Sequence, residues 1–354
     1  MTRLTRLVSP GVRVSAVALT ALLGCSLVAP PQTSSSSPSV VVRVSAPRCD
    51  SAFESRVPPA GTSVIPADAV GERVTLFYAT HTHGALIRSD GLTFAHYAAI
   101  VAQLRAGLPA TAHSLFLGNG DDLNRYLCNT DTGGAHVVEA FNSAGLDVDT
   151  YGFNEVDASV SALSASQVRA LIAASRFQWV SANVIDARTG RVFGSDQGAT
   201  SWTSRTLGSV RVAITGVVGD ELTVAAAPRA YGTELVVRDP IEALKNAVPA
   251  MRAAGAQVVI VLSHLSRSLM ERVAHEVAGV DAILGAHDAF VATMRIVNDC
   301  ILTNGYENMG QVGQLDLLID GGKIRSKYFS LYTARVDGPL HPGVNAVLSR
   351  FVVR

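Results

Sequence analysis

Val258-Val259-Ile260-Val261-Leu262-Ser263-His264 is five branched aliphatic residues followed by a serine and an imidazole. A run this short and this rich in β-branched residues reads as a buried strand. The same pattern of an apolar run ending in polar groups recurs along the chain. Asp281 to Leu284 precedes Gly285-Ala286-His287, and Val74 to Ala79 precedes Thr80-His81-Thr82-His83-Gly84. Ser114 to Leu117 leads into Gly118-Asn119-Gly120-Asp121-Asp122, and Asp147 to Tyr151 into Gly152-Phe153-Asn154-Glu155-Val156-Asp157. Open α/β folds place ligands at the carboxyl ends of their strands. Five strands that each deliver a metal-competent or acid–base residue there predict a site on one rim of a sheet.

Between the strands lie helix-like stretches: Phe94 to Ala106, Ala135 to Ala144, Ala165 to Ser175, Ile241 to Ala254 behind the Asp239-Pro240 start signal, and Ser268 to Val277. Trp179 to Asn183 and Val210 to Val217 add strands. This alternation predicts a layered α/β fold.

The 354 residues are 48% hydrophobic and 16% charged, which suits a globular body with a substantial core, and Lys+Arg and Asp+Glu balance at 29 each. No basic stripe favours a nucleic-acid groove. Arg3, Arg6 and Arg13 precede an apolar stretch from Val14 to Leu23, too short to span a bilayer, and this reads as an export signal. Its end, Leu22-Leu23-Gly24-Cys25, resembles a bacterial lipobox, so residues 1–24 are expected to be removed and Cys25 lipidated. That cleavage removes three arginines and no acid, leaving 26 basic residues against 29 acidic ones. An ordinary signal peptide cleaved nearby is the alternative. Residues 25–68, with Ser34 to Ser37 and several prolines, read as a tether with one short strand at Val40-Val41-Val42. Residues 337–354 read as a tail. Cys49, Cys128 and Cys300 leave room for one disulfide in an exported protein, and no CxxC pattern points to thiolate zinc.

His81 and His83 are two residues apart, a spacing that puts both rings on one side of an extended segment. With His264 and His287 they are read as metal ligands, whereas His96, His113, His136, His275 and His341 are read as ordinary structural histidines.

The ordered set Thr82-His83-Gly84, Gly120-Asp121, Asn154-Glu155-Val156-Asp157, Ser181-Ala182-Asn183, Val259 to His264, Ile283 to His287 and the closing Gly305 to Leu315 resembles the 5′-nucleotidase and cyclic-phosphodiesterase group of calcineurin-like metallophosphoesterases. The likeness covers about residues 72 to 335. It implies a four-layer αββα sandwich over residues 69–336. It also implies two divalent ions (Zn, Mn or Fe) bridged by Asp121 and a hydroxide that attacks phosphorus. His81, His83 and Asp121 would hold one ion, and Asp121, His264 and His287 the other.

The chain departs from that family where it counts. The family's metal-binding Asn is Phe153, its catalytic His is Asn154, and the last ligand of its closing motif is Ala289. Asn154 and Asp157 are the residues left at the catalytic positions, and Asn154, Asp122 or Asp288 are candidates to fill gaps in the ligand sets. Losing a positioned acid typically costs roughly 10²–10⁴-fold. The resemblance also implies a carboxy-terminal nucleotide-clamping domain; with the chain ending at Arg354, nucleotide specificity is not expected of it. Three functional readings follow. The first is a lipid-anchored phosphoesterase on the outer face of a bacterial membrane, acting on a small phosphorylated substrate. The second is a degenerate metal- or ligand-binding relative, and the third a hydrolase of another tetrahedral oxyanion, as in the related thiosulfohydrolases.

Overall fold

The computed structural model describes residues 70–78, 80–219, 229–287, 293–305 and 308–352, together with the backbone pair 55–56; of 229–231 and 293 only the backbone is considered. The leader, Cys25, Cys49, the Val40–Val42 segment and Asp288 lie outside these residues.

The principal strands are β1 (Ser55–Arg56), β2 (Glu72–Tyr78), β3 (Ala112–Phe116), β4 (Val148–Thr150), β5 (Gln178–Val180), β6 (Trp202–Leu207), β7 (Val210–Gly219), β8 (Val258–Leu265), β9 (Ala282–Gly285), β10 (Thr293–Val297), β11 (Cys300–Asn304), β12 (Gln311–Asp320) and β13 (Lys323–Thr333). The principal helices are α1 (Phe94–Ala106), α2 (Ala135–Ala144), α3 (Ala165–Ala174), α4 (Pro240–Ala253), α5 (Arg267–Glu276) and α6 (Pro342–Phe351). One sheet runs β1-β13-β12-β2-β3, the other β10-β11-β9-β8-β7-β6. Within these two sheets parallel pairing is confined to two cores: β2 with β3, and β7, β8, β9 and β11 in one block. Antiparallel strands flank both.

The alternation of side chains along each strand builds the layers. Ile260 and Leu262 of β8 pack with Leu76, Leu115, Leu315 and Phe329 of the other sheet, filling the space between the two. Val259 and Val261 point the opposite way, onto Leu244 of α4 and Val273 of α5. Phe77 and Phe116 line the outer face of the first sheet under Ile100 of α1, Phe141 of α2 and Leu348 of α6. Two sheets face to face, each with helices outside, are the four-layer αββα sandwich that the motifs implied. The pleat has a direct consequence for the site. His264 continues the register of Ile260 and Leu262, so its ring enters the rim between the sheets.

Four expectations change. The rim belongs to two facing sheets rather than one, with β2 and β3 in the first and β8 and β9 in the second. Residues 337–354 are not a tail: α6 buries Val344, Val347 and Leu348 in the core beside α2. Within the stretch read as tether, β1 pairs antiparallel with β13, Ser55 opposite Tyr332 and Arg56 opposite Leu331. Cys128 and Cys300 are both free thiols, the first exposed and the second buried, so they do not form the disulfide considered above.

Candidate metal centre

The loop after β2 carries His81 and His83, and the loop after β3 carries Asp121. Neither histidine is extended. Their φ values are 39° and 52°, and that of Asp121 is 57°, a left-handed conformation that costs a side-chain-bearing residue energy. The two rings still converge, but through loop curvature and not through strand alternation. Hydrogen bonds hold the curvature in place. Asp122 accepts Thr80 Oγ1–H at 2.5 Å and Thr82 N–H at 2.8 Å, and His83 N–H donates to Asp121 O at 2.7 Å. Asp122 is therefore occupied as a fully buried stitch between the loops. Burial and the charge of Asp149 push its carboxyl well above the usual range.

Glu155 ties in the third loop. Its carboxylate accepts four backbone N–H groups, from Asp121 and Asp122 at 2.9 Å and from Leu123 and Gly152 at 2.7 Å. Gly152 lies so close that a Cβ there would run into Asp121 N and Oδ1. Asn154 N–H donates to Asp121 Oδ1 at 2.7 Å, which aims Oδ2 at the histidines.

Around Asp121 Oδ2 stand three imidazole nitrogens: His83 Nε2 at 3.4 Å, His81 Nε2 at 3.6 Å and His264 Nε2 at 3.6 Å. His81 Nε2 and His83 Nε2 are 3.0 Å apart. His287, from the loop after β9, stacks parallel to His81 with centroids 6.1 Å apart and lies 4.2 Å from the His264 ring. Two groups bring one ligand atom from each member within 4.8 Å of one another: His81, His83 and Asp121, and His81, His264 and His287. The shared member is His81, where the sequence reading put Asp121 at the centre.

The donor set suits a divalent cation. Burial and the charge of His264 hold the His81 imidazole well below its ordinary pKa, and burial takes His264 down to about 4. Both are thus neutral at physiological pH, the form that ligates metal. Burial works to raise the Asp121 carboxyl, but the surrounding imidazoles and the Asn154 N–H hold it well below the usual range, so it is ionised. Among the described residues, His81 Nδ1 and both ring nitrogens of His264 have no hydrogen-bond partner. Buried polar atoms without partners are rare and point to an ion or water.

Of the residues at the catalytic positions, Asn154 is buried beside this cluster. Its Nδ2 donates to Leu123 O at 2.8 Å, and its Oδ1 has no partner among the described residues. Asp157 instead caps the one-turn helix Ala158–Ser161, accepting Ser159 N–H at 2.9 Å. Phe153 packs edge-on against His264 and His287, with centroids 5.1 and 5.6 Å away. His96, His136 and His341 make ordinary structural bonds: His96 and His341 at the starts of α1 and α6, and His136 to Gly84 O at 2.9 Å. Two contributors went unremarked in the sequence. Glu155 stands in the sequence only as a member of the Asn154-Glu155-Val156-Asp157 motif. Asn308, whose Oδ1 is 3.2 Å from His83 Nδ1, lies inside the closing Gly305 to Leu315 stretch, where nothing local singles it out.

No profile of a known protein family matches the chain. A bovine 5′-nucleotidase is 29% identical over 194 residues, 54% of this chain and 32% of that protein. A snake venom 5′-nucleotidase from Gloydius brevicauda is 28% identical over 188 residues, 53% and 30% of the two chains. The chain thus spans about a third of the length of these curated relatives. Among solved structures, a Thermus thermophilus sulfate thiohydrolase superposes with a TM-score of 0.66 at 19% identity, over 80% of this chain and 61% of its own. A calcineurin-like phosphoesterase from Bacillus subtilis gives 0.62 at 16% identity, over 80% and 97%. The structural likenesses establish the fold.

Proposed function

Taking the chain as a divergent relative of the 5′-nucleotidase group of calcineurin-like phosphoesterases, we propose that it is a metal-dependent phosphoester hydrolase. In this reading His81, His83, Asp121, His264 and His287 hold two divalent ions of the Zn, Mn or Fe type. The observation that carries it is the set of buried, neutral His81 and His264 nitrogens that lack hydrogen-bond partners among the described residues, beside one ionised carboxylate. Such ions, when bound, neutralise phosphate oxygens and lower the pKa of water.

The chain's own residues have narrower tasks. Asp121 supplies the negative charge that balances the cations, and the Glu155 lattice keeps it in place. Asn154 Oδ1 is a further oxygen available to a ligand or substrate. Phe153 closes the side of the site where His264 and His287 stand. No side chain at position 154 can donate a proton as an imidazolium would, so esters with good leaving groups are the favoured substrates. The His83 side chain, 35% exposed, marks the open face through which a small phosphorylated molecule would enter. The leader and Cys25 support export and lipid attachment at the outer face of a bacterial membrane. Among the described residues no helix is long and apolar enough to cross a bilayer.

A second reading, a degenerate relative that binds metal without turnover, is favoured by one observation. The Asn154 amide is committed to Leu123 O, and Asp157 to a helix cap, so neither is arranged as a proton relay. The test is to count metals per purified chain and assay nitrophenyl phosphate mono- and diesters with Mn, Zn and Fe. Turnover abolished by Asp121→Ala or His264→Ala and spared by His275→Ala supports hydrolysis. Bound metal without turnover selects the second reading, and a chain that takes up no metal refutes both.

A further inference from the structure

We propose that Asn308 is a positioning residue that selects which nitrogen of His83 faces the cation site, and so sets its affinity for a divalent ion. The inference rests on the metal-site reading above.

Asn308 Oδ1 lies 3.2 Å from His83 Nδ1. A carboxamide oxygen only accepts, so Nδ1 carries the ring proton and Nε2 keeps its lone pair. That Nε2 is the atom 3.0 Å from His81 Nε2 and 3.4 Å from Asp121 Oδ2. The opposite tautomer would present an N–H to the cation position and could not ligate.

His83 needs such a bond more than His81 or His264 does. The His81 and His264 side chains are 1% and 0% exposed and are oriented by packing, whereas that of His83 is 35% exposed. Asn308 is itself held firmly. Its N–H donates to His81 O at 3.0 Å, and its carbonyl accepts from Arg88 Nη1 at 3.3 Å. Arg88 is in turn paired with Asp90. The φ of Asn308 is 58°, a left-handed position that Asn tolerates better than most side chains. One residue therefore joins the backbone of one candidate ligand to the ring of another.

Two substitutions separate the acceptor from the backbone. Asn308→Gly keeps the left-handed conformation and removes the acceptor; Asn308→Asp keeps an acceptor that cannot donate. Each is compared with the wild-type full chain by ring-nitrogen NMR of His83 in chelator-treated protein, and by Zn²⁺ affinity from chelator competition. The Nδ1–H tautomer is expected in the wild type and in Asn308→Asp, and a mixture in Asn308→Gly. Zinc affinity should fall roughly 10–100-fold in Asn308→Gly, as for other partners of metal-bound histidines, and recover in Asn308→Asp. An Asn308→Gly chain with the wild-type tautomer or affinity overturns the inference, as does an Asn308→Asp chain as weak as Asn308→Gly. If wild type binds zinc and Asn308→Gly binds it equally, only this inference falls. If wild type binds no divalent ion, the metal-site reading falls, and the affinity claim with it.

Discussion

Replacing Glu155 with Gln takes one oxygen away from a carboxylate on which each oxygen accepts two backbone N–H groups. Oε1 serves Asp122 and Leu123, and Oε2 serves Asp121 and Gly152. Whichever oxygen becomes an amide nitrogen, two buried N–H donors lose their acceptor and face another donor. Hydrogen bonds to charged groups contribute roughly 1.5–3 kcal/mol each, so two lost bonds predict a loss of roughly 3–6 kcal/mol. Part of this is offset. Burial, and then the charges of Asp121 and Asp122, push the Glu155 carboxyl up to about 8, and the neutral amide escapes that penalty. The lower end, about 3 kcal/mol, is the expected value. For a body of this size each kcal/mol moves Tm by roughly 2–4 °C, so a drop of roughly 6–12 °C is expected. The measurement is thermal unfolding by circular dichroism at pH 9, above the Glu155 value of about 8 so that the carboxylate is ionised, with chelator present so that metal affinity does not enter. A Glu155→Gln chain that melts together with the wild type refutes the claim that this carboxylate holds the three loops together.

The pH dependence of the metal-free chain has a definite sign. Above pH 6.5, the ordinary histidine value, neither state protonates His264; as pH falls toward about 4 the unfolded chain takes a proton that the folded chain refuses. Stability therefore drops across that window and the His264 contribution levels off below it, a loss of about 3 kcal/mol at about 1.4 kcal/mol per pH unit; His264→Gln should show a shallower slope in the same Tm series. Asn154→His restores an imidazole beside the cluster, and turnover of a poor-leaving-group phosphoester should rise by roughly 10²-fold or more with a new pH-rate limb; an unchanged rate would show that position 154 does not face the reacting atoms. Gly152→Ala should lower stability by roughly 1–3 kcal/mol and weaken zinc binding together, because the added Cβ meets Asp121 N and Oδ1; intact affinity in a titration would place the collision elsewhere.

Much of this architecture could be read along the chain because it is local. Val258 to Leu262 alternates Val259 and Val261 against helices with Ile260 and Leu262 against the facing sheet, and the next residue in step is His264. The bounds expected for α1 and α2 are those observed, since their Ala-containing turns end at Gly107 and Gly145. The long antiparallel strands β12 and β13 and the helix α6 are not legible in this way. Polar residues such as Gln314 and Asp316 interrupt the apolar pattern of β12, yet they are buried because Arg73 and Thr75 bond to Asp316 from the neighbouring strand.

The residue types needed for a cation site, and the strand ends that carry them, were set by the order of amino acids, because side-chain alternation and chain reversal are properties of neighbours. Which of them meet was settled elsewhere. His81 became the shared candidate ligand, Glu155 the clasp, Asp157 a cap and Asn308 the partner of His83. These roles arise from left-handed loops and hydrogen bonds between segments up to 225 residues apart, which exist only once two sheets have closed face to face.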